Sequence, residues 1–330
     1  MKNLNTRYST KNINNNQKEI SVAPMMQYTD RHFRYMARLL SPSTKLYTEM
    51  IVIDAILNNQ SNLDDKEFFK FNSEIENPLA IQLGGSCPKK YAEVAKILNN
   101  YNFAEINLNI GCPSDRVQAG KIGACLMNEP ELVSECLYAI KSNLTKDIPV
   151  TIKTRIGIDN LDDYNFLHNF IEINLKYGAD GFIIHARKAW LSGLNPKQNR
   201  TIPKINYDRA YKIKQNFPDT KIIINGEIKD IESIVNHLKI TDGAMLGRAV
   251  YNNPHLLGDI EKNFYNPNYN IPTRETIAEK MFEYLNDQQK HNKSVTQILK
   301  HLQGLYYNEP NARKWRIMLN DKIQYYKKTA

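Results

Sequence analysis

With 330 residues, 42% of them hydrophobic and 24% charged, the chain can bury a full core, enough for one large α/β domain plus a smaller appendage, and this excludes a disordered or fibrous class. A formal net charge of +9 and a pI of about 9.1 favour a polyanionic partner such as nucleic acid without requiring one. The longest apolar runs, KIIIN and FIIH, are far too short to cross a bilayer, so no membrane partner is expected.

Residues 1–18 are polar and Asn-rich with no apolar centre, neither signal peptide nor anchor, and read as a disordered tail on a cytoplasmic protein. Eight short apolar runs follow: EISVAPMM (19–26), TKLYTEMI (44–51), LAIQLGG (79–85), FAEINLNIGC (103–112), PVTIKTRIG (149–157), GFIIHAR (181–187), KIIINGEI (221–228) and GAMLGRAV (243–250). Helical patterns separate them, as in PKKYAEVAKILNN and PELVSECLYAIKSNL, each opening on the proline favoured at a helix start. Eight strands alternating with helices over 19–262 predict a (β/α)8 TIM barrel ahead of an open doubly wound sheet. A Pro- and Asn-rich break near Ile271 then leads into a helical domain, 271–330, whose three segments, 274–290, 294–308 and 311–328, suit a small bundle. From Pro272 onward there are 11 Lys and Arg against 6 Asp and Glu, more than half of the excess charge. A solvated basic surface accounts for that as readily as a nucleic-acid site.

The four cysteines, Cys87, Cys112, Cys125 and Cys136, have neither C-x-x-C spacing nor a matching histidine pair, so neither a disulfide framework nor a structural metal is expected. Cys125 and Cys136 suit helical faces as small buried hydrophobes. Cys112, in NLNIGCPSDRV, directly follows the fourth run and precedes Pro113, which sets its thiol on a rigid turn at the barrel mouth, where chemistry occurs in this fold. An ordinary thiol, with a pKa of roughly 8.5, is mostly protonated at neutral pH and can donate a proton. Other strands also end in polar residues: Gln82, Asn107 and Asn109, Lys153 and Arg155, His185 and Arg187, and Asn225. Any one alone suits a satisfied core group, but their convergence on one face suits a site. Gly226, Gly247 and Arg248, after strands seven and eight, imply a phosphate-bearing cofactor.

The blocks APMMQYTDRHFRYMARLLSP, YTEM, IQLGGSCP, EINLNIGCPSDRVQAGKIGACLM, VTIKTRIGID, HARKAWLSGLNPKQNRTIP, INGEI and MLGRAVYNNP resemble those of the tRNA-dihydrouridine synthases, A subfamily, from Ala23 to about Leu257 and weakly as NEPNARKWR beyond. That resemblance implies an FMN-binding barrel and a helical tRNA-binding domain that together reduce the C5–C6 double bond of uridine 20 or 20a in the tRNA D-loop. It further implies that NADPH or NADH reduces the flavin, that hydride passes from flavin N5 to uracil C6, and that Cys112 protonates C5. Pro24, Met25 and Met26 would line the isoalloxazine, Gln82, Lys153 and His185 its polar edge, and Asn225, Gly226, Glu227, Gly247 and Arg248 the ribityl phosphate. Asn109 would meet the uracil, and Lys197, Arg200, Arg313 and Arg316 the tRNA backbone, with salt-dependent binding as the result. The target base has to leave the stack to reach the cysteine. Departures from the family pattern are Gln27-Tyr28, where an Asp-Trp pair is usual, and Glu227, where glycine is common. The chain is expected to act as a monomer. Rivals are an FMN barrel acting on a small-molecule pyrimidine, a lyase using Lys153 as a Schiff base, and an RNA-binding barrel without catalysis.

Overall fold

Strands covered on both faces read as near-continuous apolar runs, and each of the eight runs supplies one strand of a single parallel sheet. In the computed structural model, which describes residues 18–289 and 295–329, these are β1 Glu19–Val22, β2 Leu46–Val52, β3 Leu79–Gly84, β4 Glu105–Ile110, β5 Val150–Arg155, β6 Gly181–His185, β7 Ile222–Asn225 and β8 Gly243–Leu246. From β2 to β8 each strand pairs with its sequence neighbour, and β8 pairs with β1. The Val22 amide donates to the Lys45 carbonyl at 2.9 Å and the Lys45 amide to the Ile20 carbonyl at 3.1 Å, which joins β1 to the start of β2. The circle closes into the expected (β/α)8 barrel and leaves no sheet edge to satisfy. The predicted tail, Lys18 apart, lies outside the described residues.

Alternation along the strands makes two apolar layers. Outward-facing Ile106, Leu108 and Ile110 of β4 join the layer under the helices, to which Pro88–Leu98 contributes Val94 and Leu98 and Pro130–Lys141 contributes Val133 and Leu137. Inside the barrel, Ala23, Tyr47, Ala80, Ile183, Ile223 and Met245 form a small separate core with Met25 packed against it.

The lower end of the lumen is charged. Glu105, 1% exposed, accepts hydrogen bonds from Tyr47 Oη at 2.6 Å, Thr151 Oγ1 at 2.5 Å and Lys45 Nζ at 2.8 Å. Lys45 and Lys221 in turn flank Glu19 at 2.5 and 2.6 Å. Such a cluster survives burial because each ammonium meets a carboxylate.

Some elements differ from their sequence patterns. The run GAMLGRAV is strand only to Leu246, and a helix, Arg248–Asn252, begins after Gly247. The middle C-terminal helix, expected over 294–308, is the helix Val295–Leu299 followed by a tighter 3₁₀ turn, Lys300–Gly304. Packing decides this, since a side chain at Gly304 would come within 2.5 Å of the Asn252 carbonyl and Trp315 Nε1 donates to the Leu302 carbonyl at 2.7 Å. On either side run the helices Arg274–Gln289 and Ala312–Thr329. No helix among the described residues is long and apolar enough to cross a membrane.

Candidate active site

Parallel pairing sets the polar strand ends level with one another. Gln82 stands beside Asn107, Asn109 beside Lys153, Arg155 beside His185, and His185 beside Asn225. On the inner face of β4 this produces an unbroken chain of hydrogen bonds up the lumen. Thr151 donates to Glu105, Asn107 Nδ2 to Thr151 at 2.8 Å, Gln82 Nε2 to Asn107 Oδ1 at 2.7 Å and Asn109 Nδ2 to Gln82 Oε1 at 2.8 Å. The carboxylate at the bottom can only accept, so every amide above it has one satisfying orientation.

The top of that chain holds the cysteine. Asn109 Oδ1 accepts the amides of Gly111 and Cys112 at 3.1 and 3.0 Å, and the Cys112 carbonyl accepts the Ala124 amide at 2.9 Å. Arg155 Nε donates to the Gly111 carbonyl at 3.0 Å, while its Nη1 reaches the carbonyls of Lys188 and Asn199 at 3.1 and 3.0 Å. Gln118 Nε2 ties the Pro113 carbonyl to that of Leu191 at 2.9 and 2.8 Å. The half-buried Cys112 therefore sits on a turn fixed to β5 and to the long loop after β6. Asn109, expected to meet the base, already uses its oxygen and one N–H, which leaves one Nδ2 hydrogen for a ligand. Cys136 lies in the core, where burial pushes its thiol up to about 12, and burial also raises the half-buried Cys125. Neither is suited to proton transfer at neutral pH.

Around the lumen from Cys112 the side chains are cationic. Lys153 Nζ donates to Asn225 Oδ1 at 3.1 Å, and Asn225 Nδ2 is anchored on the Met245 carbonyl at 2.8 Å. Burial and the neighbouring Arg155 guanidinium pull the Lys153 ammonium down to about 7. Burial, reinforced by Arg155, Lys153, Arg187 and Arg248, holds His185 well below the ordinary imidazole range and therefore uncharged at neutral pH. Arg200 is lowered by burial and by Arg248, and its Nε has no hydrogen-bond partner among the described residues. Like charges crowded this closely persist where an anion is to be held.

Toward β7 and β8, Gly226 is left-handed at φ +125°, and a side chain there would meet His185 Cδ2 at 3.1 Å. At Gly247 a side chain would lie 3.6 Å from Met25 Sδ, so that glycine sits beside the β1 turn of Pro24, Met25 and Met26, the last of these 57% exposed. Arg248 is exposed at the rim. Glu227, at φ +52°, pairs with Arg187 Nη2 at 2.5 Å. That ion pair offsets the strain of a left-handed position where glycine is the easy choice. Of the residues expected to meet tRNA, Arg200 belongs to the mouth itself, Lys197 is exposed in the loop beside it, and Arg313 and Arg316 are exposed on the helix Ala312–Thr329, away from the lumen. Arg155, Arg187 and Gln118 are further positioning residues; the first two were legible as strand-end cations, whereas nothing in the sequence marks Gln118.

The dihydrouridine synthase family model matches residues 21–329. The tRNA-dihydrouridine(20/20a) synthase of Vibrio parahaemolyticus is 47% identical over 298 residues, 90% of this chain and 89% of the relative. Its namesakes in Synechocystis sp. and Shewanella oneidensis are 46% and 45% identical, over 92% and 94% of this chain and 88% and 91% of theirs. A match of this extent takes in the barrel, the cysteine turn and the helical segment together, and it removes the lyase reading; the chain belongs to the dihydrouridine synthase family of oxidoreductases.

Proposed function

We propose that this protein reduces uridine 20 or 20a of the tRNA D-loop to dihydrouridine, with FMN in the barrel mouth, NADPH or NADH as reductant and Cys112 as proton donor. The observation that carries this reading is the Cys112 turn, bound to Asn109 and Arg155 at a barrel mouth where Lys153, His185, Arg200 and Arg248 stand close enough to shift one another's protonation. The barrel mouth suits FMN on its own chemistry: crowded cations, an unpartnered Arg200 Nε, a glycine at 226 against His185 and another at 247 beside Met25. When bound, FMN supplies the hydride to the uracil ring. Lys153, steered by Asn225, holds negative charge at the polar edge together with Gln82 and the uncharged His185. Pro24, Met25 and Met26 give the ring an apolar wall, while Gly226, Glu227, Gly247 and Arg248 face the phosphate. Cys112 gives its proton to uracil C5, and the free Asn109 N–H orients the extruded base. Lys197 and Arg200 beside the mouth, with Arg313 and Arg316 on the helical segment, engage phosphates. Residues 19–262 form the catalytic barrel and 271–330 the tRNA-binding part of a cytoplasmic monomer that needs no structural metal.

An anaerobic visible spectrum tests the reading. The FMN-loaded protein is expected to bleach with NADPH and to regain its band on unmodified tRNA, leaving a uridine heavier by two hydrogens. No flavin band after incubation with FMN sinks it, whereas a bleached band indifferent to tRNA but restored by a free pyrimidine favours the small-molecule reading.

The lowered Lys153 pKa adds a pH dependence. Above about pH 7 the free site holds this lysine neutral, and an adjacent anion favours the ammonium, so between that pH and the bound-state pKa FMN binding takes up a proton. Affinity is therefore expected to fall as pH rises through that window. Calorimetry at about pH 8.5 in two buffers of different ionisation enthalpy should show proton uptake approaching one, and none in Lys153→Met. Equal uptake in both proteins would remove Lys153 from the role.

A further inference from the structure

One short stretch of the C-terminal segment bears on two walls of the pocket at once. The turn Met25 to Thr29 closes on itself, the amides of Tyr28 and Thr29 donating to the Met25 carbonyl at 3.0 and 2.9 Å and the Met25 amide to Thr29 Oγ1 at 2.9 Å. Its middle residue, Gln27, is left-handed at φ +67°, a conformation unfavourable for a side chain. Charged groups take both of its backbone polar atoms. The Gln27 N–H donates to the Glu49 carboxylate of β2, and its carbonyl accepts from Lys300 Nζ at 2.9 Å. Lys300 also pairs with Asp30 Oδ2 at 3.0 Å, and Asp30 caps the helix Arg31–Leu40 through the amides of His32 and Phe33. Asp30 keeps a second partner, the buried His301, at 2.8 Å. Four residues after Lys300, Gly304 abuts the Asn252 carbonyl at the end of the helix that starts at Arg248, and Tyr251 of that helix meets the Tyr28 ring edge-on at 4.4 Å.

We infer that Lys300 is a positioning residue for the flavin site, holding the Met25–Met26 turn in its binding shape from the helical segment. The inference rests on the FMN reading given above. Lys300 is poorly explained as part of the fold alone, because its side chain is 30% exposed and Asp30 retains His301 without it. Its specific contribution is the hydrogen bond to the Gln27 carbonyl, at the left-handed residue of the turn next to Met26.

The test compares the full-length wild type with Lys300→Met and Lys300→Arg, reading FMN affinity by quenching of flavin fluorescence, amide hydrogen exchange at Gln27, Tyr28 and Thr29, and the unfolding midpoint. Lys300→Met is expected to weaken FMN roughly tenfold, the scale of one lost charge-assisted hydrogen bond, and to speed exchange in the turn at an unchanged midpoint. Lys300→Arg restores both. Equal FMN affinity in wild type and Lys300→Met overturns the inference and leaves the FMN reading standing. A loss that follows a lowered midpoint, unrelieved by arginine, also overturns it, because Lys300 then serves the fold alone. A wild type that takes up no FMN removes the reading and the inference together.

Discussion

Cys112→Ala is expected to lower turnover on unmodified tRNA by about 10²–10⁴-fold, the usual worth of a placed general acid, while FMN binding and bleaching by NADPH stay as in wild type. The separation follows from geometry. The backbone around Cys112, and not its thiol, carries the bonds to Asn109, Ala124 and Arg155, so removing Sγ leaves the turn and the rest of the barrel mouth intact. Cys112→Ser fills the same space with a far weaker acid and is expected to stay slow. Stopped-flow traces of the two half-reactions check this: loss of the NADPH step in Cys112→Ala, or tRNA turnover near wild type, would take the proton-donor role away from this residue.

Glu105→Gln should destabilise the barrel by about 3–5 kcal/mol, the range for breaking a buried ion pair from one side. The amide can still accept from Tyr47 and Thr151 through its oxygen, but its NH₂ then faces the Lys45 ammonium, donor against donor. Tyr47, fully buried, has its hydroxyl held protonated by burial and by the two carboxylates nearby, so it cannot relieve the charge by ionising. Urea titration of the variant beside wild type reads the difference, and an unchanged midpoint would mean that Lys45 is satisfied by Glu19 alone. Because Glu105 lies at the end of the barrel remote from Cys112, it tests the division between a stabilising lower face and a reactive upper one.

Local pattern carried the architecture: eight apolar runs of strand length, spaced by helical stretches, leave a closed parallel barrel as the arrangement that buries both faces of every strand. The same alternation directed Gln82, Asn109, Lys153, His185 and Asn225 toward one mouth, and Cys112, between a strand end and a proline, stood out because neither packing nor metal binding explained it. These follow from periods of two and from short-range backbone rules, which a single sequence records directly. Features set by packing between distant segments were not legible. That β8 yields to a helix at Arg248, that the middle C-terminal helix tightens into a 3₁₀ turn against Asn252, and that Glu227 pairs with Arg187 all depend on neighbours supplied by other elements. The contact of Lys300 with Gln27 joins residues 273 positions apart. The barrel, its polar mouth and the place of Cys112 at that mouth were readable from one sequence, because the first two follow from local periodicity and the third from the strand end and Pro113 that flank it. The contacts of the helical segment with the turns after β1 and β8 came only from the fold, because a hydrogen bond between remote residues leaves no periodic trace in either.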